Sequence, residues 1–210
     1  MQYSWQDLGS ADADQVARAA DALFASGRAA EVFAEQDAVE ALVKAVEHGN
    51  RTAALVLLLG YAPGGIPVLR RLQLEKGDEP VKLKPWSRTV PLRVAATAAL
   101  SRAGDKDARR SLLESATDYG EAERIFLLDI LPFIDAPEVW HQLSTYMDDE
   151  TEIPEGVPSG APRRRVCDHA VDAFVDFLSL PVSFERRPGG RYSAQDVAET
   201  LQLFRQQAPR

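Results

Sequence analysis

Residues 91–112 read PLRVAATAALSRAGDKDARRSL, and this stretch decides the fold class. Apolar and small side chains recur with the spacing of an α-helix from Val90 to Arg102, before Gly104-Asp105 interrupts the pattern. Thr89 is a candidate cap, and Pro91 lies near the first turn, where proline is tolerated. A second apolar pattern with helical spacing follows the interruption, so the stretch predicts two short helices joined by a tight turn.

Short helices of the same kind are predicted along most of the chain. The stretch from Ala53 to Leu59 is apolar on every side, so we expect this helix to be buried in a middle layer. Two stretches do not fit a helix. One is Gly77 to Arg88; the other is Val182 to Tyr192, where Pro188-Gly189-Gly190 would turn a short hairpin. The remaining apolar stripes lie at residues 16–24, 39–46, 66–72, 108–113, 122–133, 139–147, 166–177 and 197–204.

An internal repeat is visible in two independent ways. Three segments with the order helix end, tight turn and second helix begin at Leu59, Leu100 and Leu131, with steps of 41 and 31 residues. An arginine also opens the first helix of each pair, at Arg51, Arg93, Arg124 and Arg165. The step from Arg93 to Arg124 is again 31 residues, and the longer steps contain insertions. The leucines and the arginines independently give the same step of 31 residues, so together they predict a helical repeat protein.

The segment from Pro91 to Leu100, followed by Gly104-Asp105, Ala108 and Leu112, resembles a HEAT-like repeat. In particular it is similar to the short bacterial type first named for phycobilisome lyases. Its small residues allow stacked helices to approach closely, and Gly-Asp makes a tight turn with a cap. The resemblance implies an α-solenoid that binds partners, usually proteins, and it brings no universal catalytic residues.

We therefore predict an all-α fold, a right-handed α-solenoid of about five antiparallel helix pairs. One HEAT-like repeat domain is expected to cover residues 1–210. Within it, residues 1–50 would form N-terminal capping helices, 51–148 the central repeats and 163–207 a C-terminal helix pair. Because both terminal segments look polar, we expect a monomer in isolation.

The composition is that of a soluble globular protein, with 45% hydrophobic and 27% charged residues in a chain of 210. A single cysteine excludes an internal disulfide and favours a reducing compartment. The first ten residues lack the pattern of an export signal, and the longest apolar stretch is far shorter than the roughly 20 residues of a membrane helix. These features favour the cytoplasm and give no indication of membrane binding.

The charge is distributed unevenly along the chain. The formal net charge is −8, and counting gives −6 for residues 1–50, +7 for 51–112 and −9 for 113–210. The acidic total argues against non-specific binding to nucleic acid or anionic lipid, because both are polyanions. The basic middle segment weakens this argument locally, although uneven sampling of a solvated surface explains it equally well.

Aromatic residues are the first group of candidate binding residues. Trp140, His141 and Tyr146 lie on the second helix of a predicted pair, the position that generally lines the concave face of a solenoid. Exposed Trp and Tyr there would be binding hot spots, whereas the alternative places Trp140 in the core. Trp86 lies among basic residues in a predicted loop, where it would grip a partner or pack over a repeat edge.

Acidic residues are the second group. Asp168, Asp172 and Asp176 form a stripe at i, i+4 and i+8, and like charges at this spacing cost stability unless a basic partner uses them. Asp148, Asp149 and Glu150 form an acidic loop with Glu152 and Glu155. The alternative for both groups is a solvated face, with Arg164 and Arg165 neutralising the start of the stripe.

Two classes of function remain open at this stage. The first is a non-catalytic module that binds a basic protein. Its narrower form is a bacterial immunity or antitoxin-like protein, because acidic surfaces steer toward basic toxin nucleases. The alternative is a HEAT-fold enzyme, a chaperone-like lyase or a nucleic-acid-binding protein that uses Arg70, Arg71, Arg109 and Arg110. We expect no enzyme activity, cofactor or metal, since no nucleophile or phosphate-binding motif is present, and Cys167 and His169 lie on different helix faces.

Overall fold

The computed structural model describes residues 4–49, 51–82, 89–154 and 163–208. These residues are mainly α-helical, with a single two-stranded sheet among them, so the all-α prediction is confirmed. The chain divides into two compact units, Met1–Leu112 and Leu113–Arg210, which we call unit 1 and unit 2. Within the described residues, no helix is long and apolar enough to cross a lipid bilayer.

Unit 1 begins with a 3-10 helix at Trp5–Gly9, and its helices surround a short apolar one. The α-helices are α1 (Ala13–Ala25), α2 (Ala29–Val32), α3 (Gln36–Glu47), α4 (Ala53–Leu58), α5 (Gly65–Lys76), α6 (Leu92–Arg102) and α7 (Lys106–Ser115), the last of which runs into unit 2. Every residue of α4 is buried, as the sequence predicted, because α1, α3 and α6 pack around it. The strands β1 (Pro80–Lys82) and β2 (Thr89–Pro91) form an antiparallel pair between α5 and α6.

Unit 2 is built around the helix at Val166–Leu178, which packs against the helices at Glu121–Asp129 and Ala194–Gln207. Its α-helices are α8 (Glu121–Asp129), α9 (Pro137–Leu143), α10 (Val166–Leu178) and α11 (Ala194–Gln207). Two 3-10 helices, Leu131–Phe133 and Ser144–Asp148, lie on either side of α9. Phe174 of α10 and Phe204 of α11 are fully buried and meet edge to face, with ring centroids 4.8 Å apart.

Several local predictions of helix ends are confirmed. Asp105 caps α7, since its carboxylate accepts hydrogen bonds from the backbone N–H groups of Asp107 and Ala108. Ser193 caps α11 in the same way through Asp196, and Pro137 is the first residue of α9. Asp105 and Ser193 accept hydrogen bonds from N–H groups at a helix start, which have no partner within the helix. Pro137 has no N–H group, so the first position of a helix suits it.

Two local predictions are wrong. Thr89 does not cap α6, because it belongs to β2 and Pro91 takes the N-cap position. The hairpin expected between Val182 and Tyr192 is absent from the described residues 163–208, where this segment forms an irregular loop instead. Its turn has Gly189 at a φ of 78°, and the N–H of Gly190 donates to Arg187.

The repeated arginines bind pairs of adjacent acidic residues. In unit 1, Arg51 donates to Glu79 over 2.8 Å, and Arg93 pairs with the neighbouring Asp78. In unit 2, Arg124 pairs with Asp149, and Arg165 donates to the neighbouring Glu150 over 3.0 Å. We call each group of two arginines and two acids an arginine–acid clasp. Both clasps join the arginines of two successive predicted repeats.

The backbone around the two clasps follows the same pattern. In unit 1, the N–H groups of Leu92 and Arg93 at the start of α6 donate to Glu79 and Gly77. In unit 2, the N–H groups of Val166 and Cys167 at the start of α10 donate to Thr151 and Asp149. Extended pairing precedes both helices, between β1 and β2 and between Glu152 and Arg165. Each unit thus carries one copy of the same element, in which an acidic pair and a short antiparallel pairing lead into a helix.

Candidate functional site

A small cleft in unit 2 brings together three of the predicted binding residues. It has a volume of about 200 Å³ and is lined by Tyr146, Asp148 and Asp149, together with Ala116, Thr117, Arg124 and Thr145. The 3-10 helix Ser144–Asp148 supplies one wall, and α8 supplies the arginine. The fold therefore brings an aromatic ring, two carboxylates and hydroxyl groups to one place.

Tyr146 forms a fixed wall of the cleft. Its side chain is buried, and its hydroxyl donates to the backbone carbonyl of Ala116 over 2.6 Å. Burial raises the pKa of this phenol well above its usual value. The expectation of an exposed Tyr146 is therefore corrected: only part of the ring edge lines the cleft, and the hydroxyl is used internally.

Asp149 and Arg124 neutralise each other at the side of the cleft. Arg124 pairs with Asp149, donates from Nε to the carbonyl of Tyr119 over 2.6 Å and lies 6.0 Å from the ring centroid of Tyr146. Burial acts to raise the pKa of Asp149, but hydrogen bonds from Thr151 and the charge of Arg124 outweigh it and hold the pKa below its usual value. Asp148 is exposed at the rim, so it is the more accessible of the two carboxylates.

The acidic stripe of α10 faces the protein rather than a partner at its first two positions. Asp168 is fully buried and accepts hydrogen bonds from the guanidinium and backbone of Arg165 and from the N–H of Tyr192. Asp172 pairs with Arg164 and accepts from the hydroxyl of Tyr192 over 2.7 Å. The expectation that these two carboxylates are available to a partner is therefore corrected.

Asp176 is the exposed end of the stripe. Its side chain is 66% exposed and pairs with Arg186, which also reaches Asp172. The bond to Asp176, together with the charges of both aspartates, raises the pKa of Arg186. The stripe thus ties the irregular loop before α11 to α10, which explains how like charges at helical spacing are tolerated.

Trp140 is a core residue, the alternative that the sequence analysis set beside a binding role, so its ring is not a binding hot spot on the surface. Its indole N–H donates to the carbonyl of Ile134, and its ring meets Phe177 edge to face at 4.9 Å. His141, next in sequence, is exposed and lies edge to face against Phe204 at 5.1 Å. Glu150 is exposed too, although it belongs to the second clasp.

The basic candidates of unit 1 are distributed over ion pairs. Arg70 donates to Asp105 over 2.6 Å, Arg71 to Glu47 over 2.6 Å, and Arg110 to Asp107 over 3.4 Å. Arg109 is half-buried, and Trp86 lies outside the described residues. Arg70, Arg71 and Arg110 thus pair with three different acids.

The sequence analysis missed one close polar pair in unit 2. Nε2 of His169 lies 2.7 Å from Oδ1 of Asp129, and both side chains are largely buried between α10 and α8. The two residues are 40 positions apart, and no sequence pattern predicts their contact, since such a pair depends on how the helices pack. Among the described residues, no group of three or more His, Cys, Asp or Glu side chains is placed to hold a metal ion.

Comparisons with known proteins add no relative to this description. No family model matches the chain, and neither a curated protein nor a solved structure matches it.

Proposed function

We propose that the chain is a non-catalytic, protein-binding helical-repeat protein of the HEAT-like type, and that unit 2 binds a basic protein. The repeated element supports the helical-repeat part of this proposal. The two clasps have the same order of acidic pair, extended pairing and helix, and each connects the arginines of successive predicted repeats. Stacked repeats of this kind form an α-solenoid.

The charge difference between the units is the observation that supports a basic partner. Unit 2 contains 18 acidic and nine basic side chains, a net charge of −9, whereas unit 1 contains 14 acidic and 15 basic ones, a net charge of +1. Nearly all the negative charge therefore belongs to residues 113–210. A field of this sign attracts basic proteins and accelerates their association.

The arginines of unit 2 do little to shield this field locally. Arg124, Arg164, Arg165 and Arg186 all pair with carboxylates of their own unit. Several acidic side chains remain at its surface, among them Asp118, Asp148 and Glu152. Asp148 lies at the rim of the cleft, so we expect a lysine or arginine of the partner to bind there.

Binding is favoured over catalysis because the polar groups of the cleft are committed to one another. The hydroxyl of Tyr146 donates to Ala116, and Asp149 accepts from both Arg124 and Thr151. None of these groups is poised as a nucleophile or a general base. The nucleic-acid alternative gains no support either, since Arg70, Arg71 and Arg110 are paired with acids.

Neutralisation of a basic toxin is the narrower form of the proposal. A compact acidic protein that covers a basic surface blocks it by occupancy alone, and it needs no catalytic residue. Co-expression with a candidate toxin tests this form: growth is rescued if the chain neutralises the toxin. If the chain rescues no growth and binds no basic protein, the toxin-neutralising form of the proposal is excluded.

Affinity capture from a lysate of the native organism tests the general proposal. The tagged chain is incubated at low and at high salt, and bound protein and nucleic acid are both identified. We expect one basic protein in near-equal amount at low salt and its release at high salt. Co-purification of nucleic acid or pigment, without a stoichiometric protein, would contradict the proposal.

A further inference from the structure

A groove in unit 1 takes no part in the cleft of unit 2. It has a volume of about 720 Å³ and runs between α3 and the chain that links the first 3-10 helix to α1. One wall is the exposed face of α3, and the other is formed by Leu8–Ala11. Nothing in the binding of a basic protein by unit 2 uses this groove.

The middle of the groove is built from small side chains. Ala41 and Ala45 occupy the centre of the α3 face, and Gly9 and Ala11 lie on the opposite wall. A Cβ atom placed on Gly9 would have no neighbour within 4 Å, so the groove is open at this point. Small residues let a helix approach closely, so the groove has the floor that a packed helix requires.

The charges on this face of α3 change sign along the helix. Asp37 and Glu40 lie in the N-terminal half, and Lys44 lies in the last turn. The imidazole of His48 follows the helix, with Nδ1 2.7 Å from the carbonyl oxygen of Lys44. Asp37, Glu40 and Lys44 are exposed and form no ion pair within the described residues. A helix packed antiparallel to α3 with the same order of charges would therefore place a base opposite each acid.

We propose that a second copy of the chain occupies this groove, with the two α3 helices packed antiparallel about a two-fold axis that crosses α3 at the height of Leu42, beside Ala41. In this arrangement Glu40 of each copy faces Lys44 of the other, and Asp37 faces His48. A self-complementary face of this kind produces a closed dimer rather than a fibre. The proposal departs from the expected monomer and is independent of the proposed function.

The net charges of the two units favour a second copy as the occupant. Unit 1 has a net charge of only +1, so two copies of it meet with little repulsion, whereas unit 2 has a net charge of −9. A contact between single helices is smaller than a standard interface, so the dimer is expected to be weak and concentration-dependent. Its ion pairs are exposed, so salt weakens it further.

Analytical ultracentrifugation of the full chain at low salt, from about 5 to 500 µM, tests the dimer. Glu40→Lys and Lys44→Glu each place like charges together and should raise the dissociation constant about tenfold or more. The double variant Glu40→Lys/Lys44→Glu exchanges the charges and should return to within about threefold of the wild type. Glu75→Lys makes the same charge change on an exposed site of α5 and should leave the constant unchanged.

A chain that stays monomeric over the whole range would overturn the proposal. So would single variants that dimerise like the wild type, or a double variant that fails to recover. Thermal melts of all variants show whether they are folded, and since these side chains are exposed we expect melting temperatures close to the wild type.

Cysteine cross-linking locates the two-fold axis. Ala41→Cys should form a disulfide-linked dimer under mild oxidation, because the two residues 41 lie on either side of the axis. Ser111→Cys, exposed on α7, should not. The wild type gives the background, because Cys167 is buried. Equal cross-linking of both variants would contradict the proposed register.

Discussion

Asp168 illustrates what holds unit 2 together at the scale of single residues. Its side chain has no exposed surface, yet its two oxygens accept four hydrogen bonds, three of them from Arg165 and one from the N–H of Tyr192. Burying a carboxylate is costly unless a cation and further donors satisfy it. Asp168 therefore joins the start of α10 to the chain that enters α11.

Replacing Asp168 by Asn should destabilise the protein strongly. The change removes the charge opposite Arg165, whose side chain is only 10% exposed, so we expect a loss of about 3 kcal/mol in the free energy of unfolding. Asp176→Asn is the matched control on the exposed turn of the same helix, with an expected loss of about 1 kcal/mol or less. Urea unfolding measures both, and equal losses would contradict this account.

The pH dependence of stability should show the contribution of Asp149. Its pKa is lower in the folded chain, so its contribution is complete above the unfolded pKa, near 3.9, and is lost as the pH falls through the folded value. Urea unfolding from pH 7 down to about pH 3 should show the stability gap between wild type and Asp149→Asn closing in acid. A gap that stays constant over this range would contradict a lowered pKa of Asp149 in the folded chain.

The thiol of Cys167 should react slowly in the folded chain. The side chain is buried, and burial raises its pKa to about 11, so little thiolate is present at pH 8. A thiol reagent should label the native protein far more slowly than the urea-unfolded protein. Rapid labelling of the native chain would indicate that the start of α10 opens readily.

Some elements followed from the sequence, and others depended on packing. The buried α4, the cap of α7 by Asp105 and the cap of α11 by Ser193 were predictable, because apolar spacing and capping act within a few residues. The period of the arginines was visible too. Their acidic partners were not, since Arg51 and Glu79 are 28 residues apart and only the packed fold brings them together.

The candidate site divides in the same way. Asp148 and Asp149 were recognised as part of an acidic loop, because runs of like charge are visible in the sequence. The burial of Trp140 and Tyr146 was not visible, since an aromatic residue at helical spacing fits a core and a binding face equally well. The inward direction of Asp168 depends on Arg165 and on the N–H of Tyr192, 24 residues further on.

The arginine–acid clasps should stabilise the extended pairings next to them. Arg51→Gln removes the bond to Glu79, and Arg124→Gln removes the bond to Asp149. Hydrogen exchange of the β1–β2 pair, at Val81 and Val90, should become faster in the first variant only. Arg110→Gln, which breaks an exposed pair on α7, should change neither region, and equal acceleration in all three would contradict a local role for the clasps.

At the scale of the whole molecule, the proposed binding of a basic protein rests on the difference in charge between the units. Residues 113–210 carry a net charge of −9, and the proposed binding of a basic protein depends on this unit and not on the total charge of −8. Two variants with the same total charge separate these possibilities. Asp118→Lys/Asp148→Lys changes unit 2 beside the cleft, and Glu31→Lys/Glu75→Lys changes exposed sites of unit 1.

Calorimetric titration of the captured basic protein into the wild type and both variants tests this claim most directly. We expect the unit 2 variant to bind about tenfold more weakly or worse, and the unit 1 variant to stay within about twofold of the wild type. Equal weakening by both variants would show that total charge alone governs the association. A unit 2 variant that binds as tightly as the wild type would place the partner elsewhere on the chain.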